Sequence, residues 1–197
     1  LLQILTSQKQ DKVNHKELLQ TELVEASETG VWEAVTIARN EERPLAIAYM
    51  RSMLDPFFEL RGDRLSSDDR SVVGGVGFLL GEPVVVIGQQ RRAPLQGQRY
   101  HVCPDGLRKA QRLISLAGRF KLPLVTLIDT QGADPSLEAE EQGIGNAIAN
   151  TLSLMVEAPV PIVSVIIGEG GSEGALALGM SDRILMQQYA IYSPISL

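Results

Sequence analysis

From Ser71 onward, short β-rich apolar runs alternate with amphipathic helical patterns, and this alternation most narrows what the chain can fold into. Residues 71–79 and 83–89 flank Gly81-Glu82-Pro83 and predict a hairpin. Leu107, Ala110, Ile114 and Ala117 share one face of a helix running to Phe120, with Asp105 as its expected cap. Residues 122–129 and 160–167 are apolar enough to be buried strands. Between them, Ile144, Ile148, Leu152 and Met155 stripe a helix over 137–157, whose first turns carry Glu138, Glu140 and Glu141. A Gly-rich turn at 168–174, a short helix at 175–180 and strands at 183–188 and 190–195 complete the pattern. The expected class is α/β with a largely parallel sheet.

The first 70 residues differ. Residues 1–28 are polar, with leucines at loosely helical spacing, and read as a linker or a helical extension. Residues 29–70 read as a helical arm: Trp32, Val35 and Ile37 mark one helix, and Pro44 and Pro56 bracket a second. Residues 71–197 form the expected core. The chain opens on Leu1 rather than Met and stops after a strand and turn, so the displayed sequence reads as part of a longer polypeptide.

Composition excludes several classes. Apolar residues make up 44% of the 197, too many for a chain that is mainly disordered. No apolar run approaches the length of a membrane-spanning helix, and the opening residues, amphipathic and charged, are not expected to be a signal peptide. The net charge of −6 argues against a basic nucleic-acid face. Cys103, alone, forms no internal disulfide, and with only His15 and His101 no Cys-rich zinc site is expected in this chain. The cytoplasm is the plain expectation.

Chemistry is expected at two strand-to-helix junctions. Gly168-Glu169-Gly170-Gly171-Ser172-Glu173-Gly174 follows a strand and opens a helix. Glycines there allow close backbone approach, and a helix start offers unpaired N–H groups. That makes an anion or oxyanion site, a phosphate loop without the P-loop lysine, or a turn needed only for packing. Asp129-Thr130-Gln131-Gly132-Ala133-Asp134-Pro135 also joins a strand to a helix and is expected at the same sheet edge. Asp129 and Thr130 could equally bond local amides. Ser172 fits the nominal spacing of a nucleophile elbow, but no histidine follows it. Arg91, Arg92 and Arg99 cluster in the long 90–104 segment. They could hold a phosphate or carboxylate, or form a solvated loop. His101 reads as a solvated side chain.

Many ordered motifs then fall into one register. They are Arg43-Pro44, Phe58-Glu59-Leu60-Arg61-Gly62-Asp63-Arg64, Asp68-Asp69, Val73-Gly74-Gly75-Val76, Arg108-Lys109-Ala110, Arg119-Phe120-Lys121-Leu122-Pro123 and Ile128-Asp129-Thr130. Ala139-Glu140-Glu141-Gln142-Gly143, residues 165–172 and residues 189–196 continue the series. Over residues 29–196 the chain resembles the carboxyltransferase α subunits of acetyl-CoA carboxylase, in the crotonase superfamily.

The resemblance implies stacked ββα units behind an N-terminal helical arm. It also implies carboxyl transfer between carboxybiotin and acetyl-CoA, or a related acyl thioester, giving malonyl-CoA. Its implied partners are a zinc-ribbon β subunit supplying most of the acyl-CoA side, a biotin carboxyl carrier protein and acyl-CoA, in an α2β2-type assembly. The backbone N–H groups of Glu173 and Gly174 become the oxyanion donors. Gly170, Gly171, Ser172, Gln131, Gly132, Ala133 and Asp134 become the biotin-side surface, and Arg91, Arg92 and Arg99 become candidate CoA or carrier contacts. The family pattern G-G-S-G-G-A is broken here by Glu173, and D-T-P-G-A-Y-P-G by Gln131, Asp134 and Ser136. Leu176 stands where crotonase-type hydratases carry an acid/base glutamate, which disfavours that chemistry. The alternatives are a biotin-independent malonyl-thioester decarboxylase and a catalytically impaired structural subunit.

Overall fold

A computed structural model describes residues 30–65, 67–91 and 101–195. The expected 1–28 segment, Arg92 and Arg99 lie outside these residues. Two helices come first, α1 (Val31–Ala38) and α2 (Ala46–Met53), followed by strands β1 (Leu54–Glu59), β2 (Val72–Leu79) and β3 (Glu82–Gln89). A short strand β4 (His101–Val102) leads into α3 (Pro104–Phe120), β5 (Leu124–Thr130), a short β6 (Gly132–Ala133) and helices α4 (Leu137–Glu141) and α5 (Ile144–Glu157). Strand β7 (Ile162–Gly171), helix α6 (Ser172–Gly179) and strands β8 (Arg183–Met186) and β9 (Ile191–Ser193) end the described fold.

The main sheet has seven strands in the order β1-β2-β3-β5-β7-β8, with β9 also paired to β7. β1, β2 and β3 are antiparallel neighbours, while the β3–β5, β5–β7, β7–β8 and β7–β9 pairs are parallel. The helix α3 makes the crossover from β3 to β5, and α4 with α5 the crossover from β5 to β7. β4 and β6 form a separate parallel pair.

The apolar runs are nearly continuous because both sheet faces are covered. Val85, Ile87, Leu124 and Ile162 face α3 and α5, packing with Leu107, Leu113, Ile114 and Met155. Their neighbours Val84, Val86, Val125 and Val163 face the opposite layer, where Ala46, Met50 and Leu54 close the core. Period-two alternation therefore divides one apolar run between two cores. No helix among the described residues is long and apolar enough to cross a membrane.

Local expectations are revised in several places. The stretch 29–70 is not helical throughout: β1 starts as soon as α2 ends and pairs with β2 at the sheet edge. An edge strand tolerates Pro56, which reads in sequence only as a helix breaker. The hairpin turn falls on Leu80-Gly81, both at positive φ, one residue earlier than its proline suggests. The 137–157 helix divides at Gln142–Gly143. Helix α3 begins at Pro104, with Cys103 rather than Asp105 at the cap and Asp105 in the first turn. Strand β7 continues through Gly171, so residues 168–171 are strand rather than turn. His101 is half-buried on β4 instead of solvated, with Nδ1 enclosed and unpaired.

Leu113 is fully buried where α3 crosses β2, and its Cδ1 occupies the space a side chain at Gly74 would need. Leu113→Ala should cost about 2–5 kcal/mol in urea unfolding, because the cavity between helix and sheet collapses only partly.

Candidate functional site

The carboxyl ends of β5 and β7 bring the two junctions together. A Cβ at Gly171 would lie 2.3 Å from the carbonyl oxygen of Gln131. One at Gly174 would lie 2.4 Å from the carbonyl carbon of Gly132 and 2.5 Å from the nitrogen of Ala133. Both neighbours are backbone and neither can move aside as a side chain would, so glycine is required at 171 and 174 for close approach. Gly174→Ala should therefore lower stability by about 1–3 kcal/mol and displace the 131–133 loop. Thermal melts and amide chemical shifts of Gly132 and Ala133 would check both effects.

Helix α6 starts at this contact. Gly171 supplies no capping side chain, so the N–H groups of Ser172, Glu173 and Gly174 have no partner within the helix. Ser172 has φ of 53°, an uncommon conformation for a residue with a Cβ. Gly174 is buried, Ser172 half-buried and Glu173 exposed. On the facing loop, the Thr130 hydroxyl donates to the Gly132 carbonyl at 3.0 Å and accepts from the Gly132 N–H at 3.1 Å. Asp134 Oδ1 accepts from the Ser136 N–H at 2.9 Å, and the Cys103 thiol lies 3.7 Å from Asp134 Oδ2. Gly132 and Ala133 pair with His101 and Val102 through β6 and β4.

The expected residues Gly170, Gly171, Ser172, Glu173, Gly174, Gln131, Gly132 and Ala133 thus meet at one edge, with Asp134 at its margin. Arg91 does not join them as a surface contact. It is buried and donates through Nε to Asp129 Oδ2 at 2.8 Å and through Nη1 to the Asn40 carbonyl at 2.6 Å. Its expected part in holding CoA or a carrier is corrected: an arginine withdrawn from solvent into an ion pair is an internal tie.

Three contributors stand outside the expected set. Asp129 accepts the N–H of Glu169 rather than only a local amide. Arg39, the residue that caps the end of α1, grips the Glu169 carboxylate through both Nε and Nη2, at 2.8 and 2.7 Å. Gln89, fully buried at the end of β3, donates to the Gly174 carbonyl. Only Asp129 had a sequence signal, its place in a junction segment.

Glu173 answers a question its position raises. The Ser172 hydroxyl donates to its carboxylate, and with the residue's own N–H holds the carboxyl below the usual glutamate range. The group stays ionised beside the helix start. A depressed folded-state pKa contributes stability that is present above the ordinary glutamate value and lost as pH falls through the lowered one. Glu173→Gln should flatten that acid dependence in thermal melts over about pH 3–6.

Among the described residues, Asp69, Cys103 and Asp105 place potential ligand atoms within 4.8 Å of one another. The Asp69 carboxylate already accepts the Ser71 and Cys103 N–H groups, and Asp105 accepts the Ser67 hydroxyl.

Comparison with known proteins decides the family. The family described as acetyl co-enzyme A carboxylase carboxyltransferase-like matches residues 4–197. The chain belongs to this family. The match reaches upstream of Thr29, where the sequence resemblance had its boundary. Relatives include an acetyl-coenzyme A carboxylase carboxyl transferase subunit alpha from Gluconacetobacter diazotrophicus, 47% identical over 169 residues, covering 84% of this chain and 53% of that protein. A subunits beta/alpha protein from Salinispora arenicola is 49% identical over 169 residues, covering 84% of this chain and 30% of its own. The chain thus spans about half the length of the α-subunit relatives. Among solved structures, transcarboxylase 12S aligns with a TM-score of 0.69 at 18% identity, over 82% of this chain and 31% of that one. The β subunit of a P. aeruginosa geranyl-CoA carboxylase aligns at 0.57 and 23% identity, over 64% of this chain and 24% of that one. At these identities the likeness shows the fold, which is the crotonase-like fold of carboxyltransferases.

Proposed function

We propose that this chain is the biotin-side, α-type component of an acetyl-CoA carboxylase carboxyltransferase. The observation that carries the reading is the meeting of the 131–133 loop with the start of α6, which leaves first-turn N–H groups at the carboxyl edge of the sheet. Biotin, delivered on its carrier protein, supplies a ureido nitrogen that holds the carboxyl group and a ureido oxygen that becomes more negative when that group leaves. The donor set fits such an oxygen: neutral N–H groups without helical acceptors stabilise growing negative charge without a proton transfer. In this reading the Glu173 and Gly174 N–H groups donate to that oxygen. Gly170, Gly171 and Ser172 shape one wall, and Gln131, Gly132, Ala133 and Asp134 the other. Two donors of this kind contribute about 3–4 kcal/mol each at most.

No side-chain nucleophile is required. The acyl thioester is acetyl-CoA or a close relative, and a β subunit binds most of it. The fused beta/alpha organisation of the Salinispora relative supports that pairing. An α2β2-type assembly in the cytoplasm is the corresponding arrangement.

Glu173 sets the activity of the site. Its ionised carboxylate draws on its own N–H, one of the two proposed donors, and so competes with the substrate oxygen. The same feature favours the second reading, a catalytically impaired subunit. The test is malonyl-CoA-dependent carboxylation of biocytin by the complex assembled from full-length subunits. Biotin-dependent turnover that rises about tenfold in Glu173→Gly, equivalent to about 1.4 kcal/mol, supports the proposal. Malonyl-CoA loss without biotin would indicate a decarboxylase instead. Silence in both proteins would favour the impaired subunit.

A further inference from the structure

The β5–β7 ladder breaks next to the proposed donors. Ile128 pairs with Ile166, and the next aligned pair is Thr130 with Gly170. Asp129 alone therefore faces Ile167, Gly168 and Glu169, so β7 carries a bulge. Bulges of this kind re-aim a strand and leave backbone groups without ladder partners. Here side chains take over. Asp129 Oδ1 accepts the Glu169 N–H at 3.0 Å. Arg43 Nη2 donates to the Ile167 carbonyl at 2.7 Å. Gly168 has room only for hydrogen, since a Cβ there would lie 2.3 Å from Asp129 Oδ1.

Asp129 is itself held. Arg91 donates to its other carboxylate oxygen, and Arg91 is fixed in turn by the Asn40 carbonyl between α1 and α2. Burial pushes the Asp129 carboxyl up, against the opposing pull of the Glu169 N–H and of Arg91. A buried charge of this kind is a costly way to satisfy one amide, and its use is intelligible where direction matters.

We infer that Asp129, braced by Arg91, is a positioning residue: its carboxylate replaces the absent ladder partner in the β7 bulge and thereby aims the Glu173 and Gly174 N–H groups. The inference rests on the proposed function for what those groups bind. A misplacement of about 1 Å at a reacting centre costs on the order of a hundredfold in rate.

The test uses the carboxyltransferase complex of full-length subunits carrying Asp129→Ala, Asp129→Asn, Arg91→Met or Arg91→Lys. Asp129→Asn preserves shape but sets an amide donor against the Arg91 donor, so it guards against simple misfolding. In Asp129→Ala, kcat for biocytin carboxylation should fall about 10–100-fold, with KM for malonyl-CoA within about twofold. Arg91→Met should follow it, and Arg91→Lys should recover part of the loss.

Backbone hydrogen exchange supplies a readout independent of turnover. Protection should fall at Glu169 and at Leu176, Ala177 and Leu178, the first amides bonded within α6, while Val163, Ser164 and Val165 stay protected. If the wild-type complex carboxylates no biotin, the functional reading fails and exchange alone decides the positioning role. Unchanged protection at Glu169 in Asp129→Ala would overturn the inference. So would a uniform loss of protection along β7, or wild-type kcat in every variant.

Discussion

The buried carboxylate of Asp129 is the point on which the arrangement of the site depends. It stands where β5 offers one residue against three of β7, and supplies the acceptor that a regular ladder would have provided. Arg91 anchors it from just beyond the end of β3. Arg43 and Arg39, from the helical segment, take the Ile167 carbonyl and the Glu169 carboxylate. The helical segment is thereby part of the site's support rather than an appendage. Exposed ion pairs contribute little to stability, but Arg91–Asp129 is withdrawn from solvent, and breaking it would strand a charge.

Beyond that bulge, two backbones come into contact. Gly171 and Gly174 admit the 131–133 loop so closely that no side chain could intervene. Helix α6 is then held from beneath at both ends: Gln89 donates to the Gly174 carbonyl, and Thr126 and Ser164 donate to the Leu178 carbonyl. The Leu178 carbonyl is one that the end of a short helix leaves open, the Gly174 carbonyl takes Gln89 as an added donor, and together these buried contacts fix the helix axis. Rigid placement matters most for a mechanism that relies on backbone donors, because such donors act only in the right direction. Against this frame Glu173 is the variable element: an exposed carboxylate at the helix start, where its charge is favoured by the helix and unfavourable to a second anion.

The α/β class, the hairpin, most helix and strand centres and the family were legible in the sequence. Strict motifs and period-two apolar runs carry that information locally. The two junctions were also legible, since glycines after an apolar strand mark them. β1 was not, because Pro56 signals a break and only pairing with β2 makes residues 54–59 a strand. Nor was the extension of β7 through Gly171, because glycine runs read as turns until a neighbouring strand pairs with them.

What the sequence determined by itself is therefore the class of fold, the family and the two segments that meet at the site. Tertiary structure alone decided the roles of Asp129, Arg91, Arg39 and Gln89. Arg91 reads as a surface contact in sequence and becomes an internal tie in the fold. Asp129 reads as a strand-end residue that could bond local amides and becomes the brace of a bulge. The physical reason is that a bulge is a mismatch of register between two strands distant in the chain. No local pattern records which residue will face the gap, or which arginines will reach it.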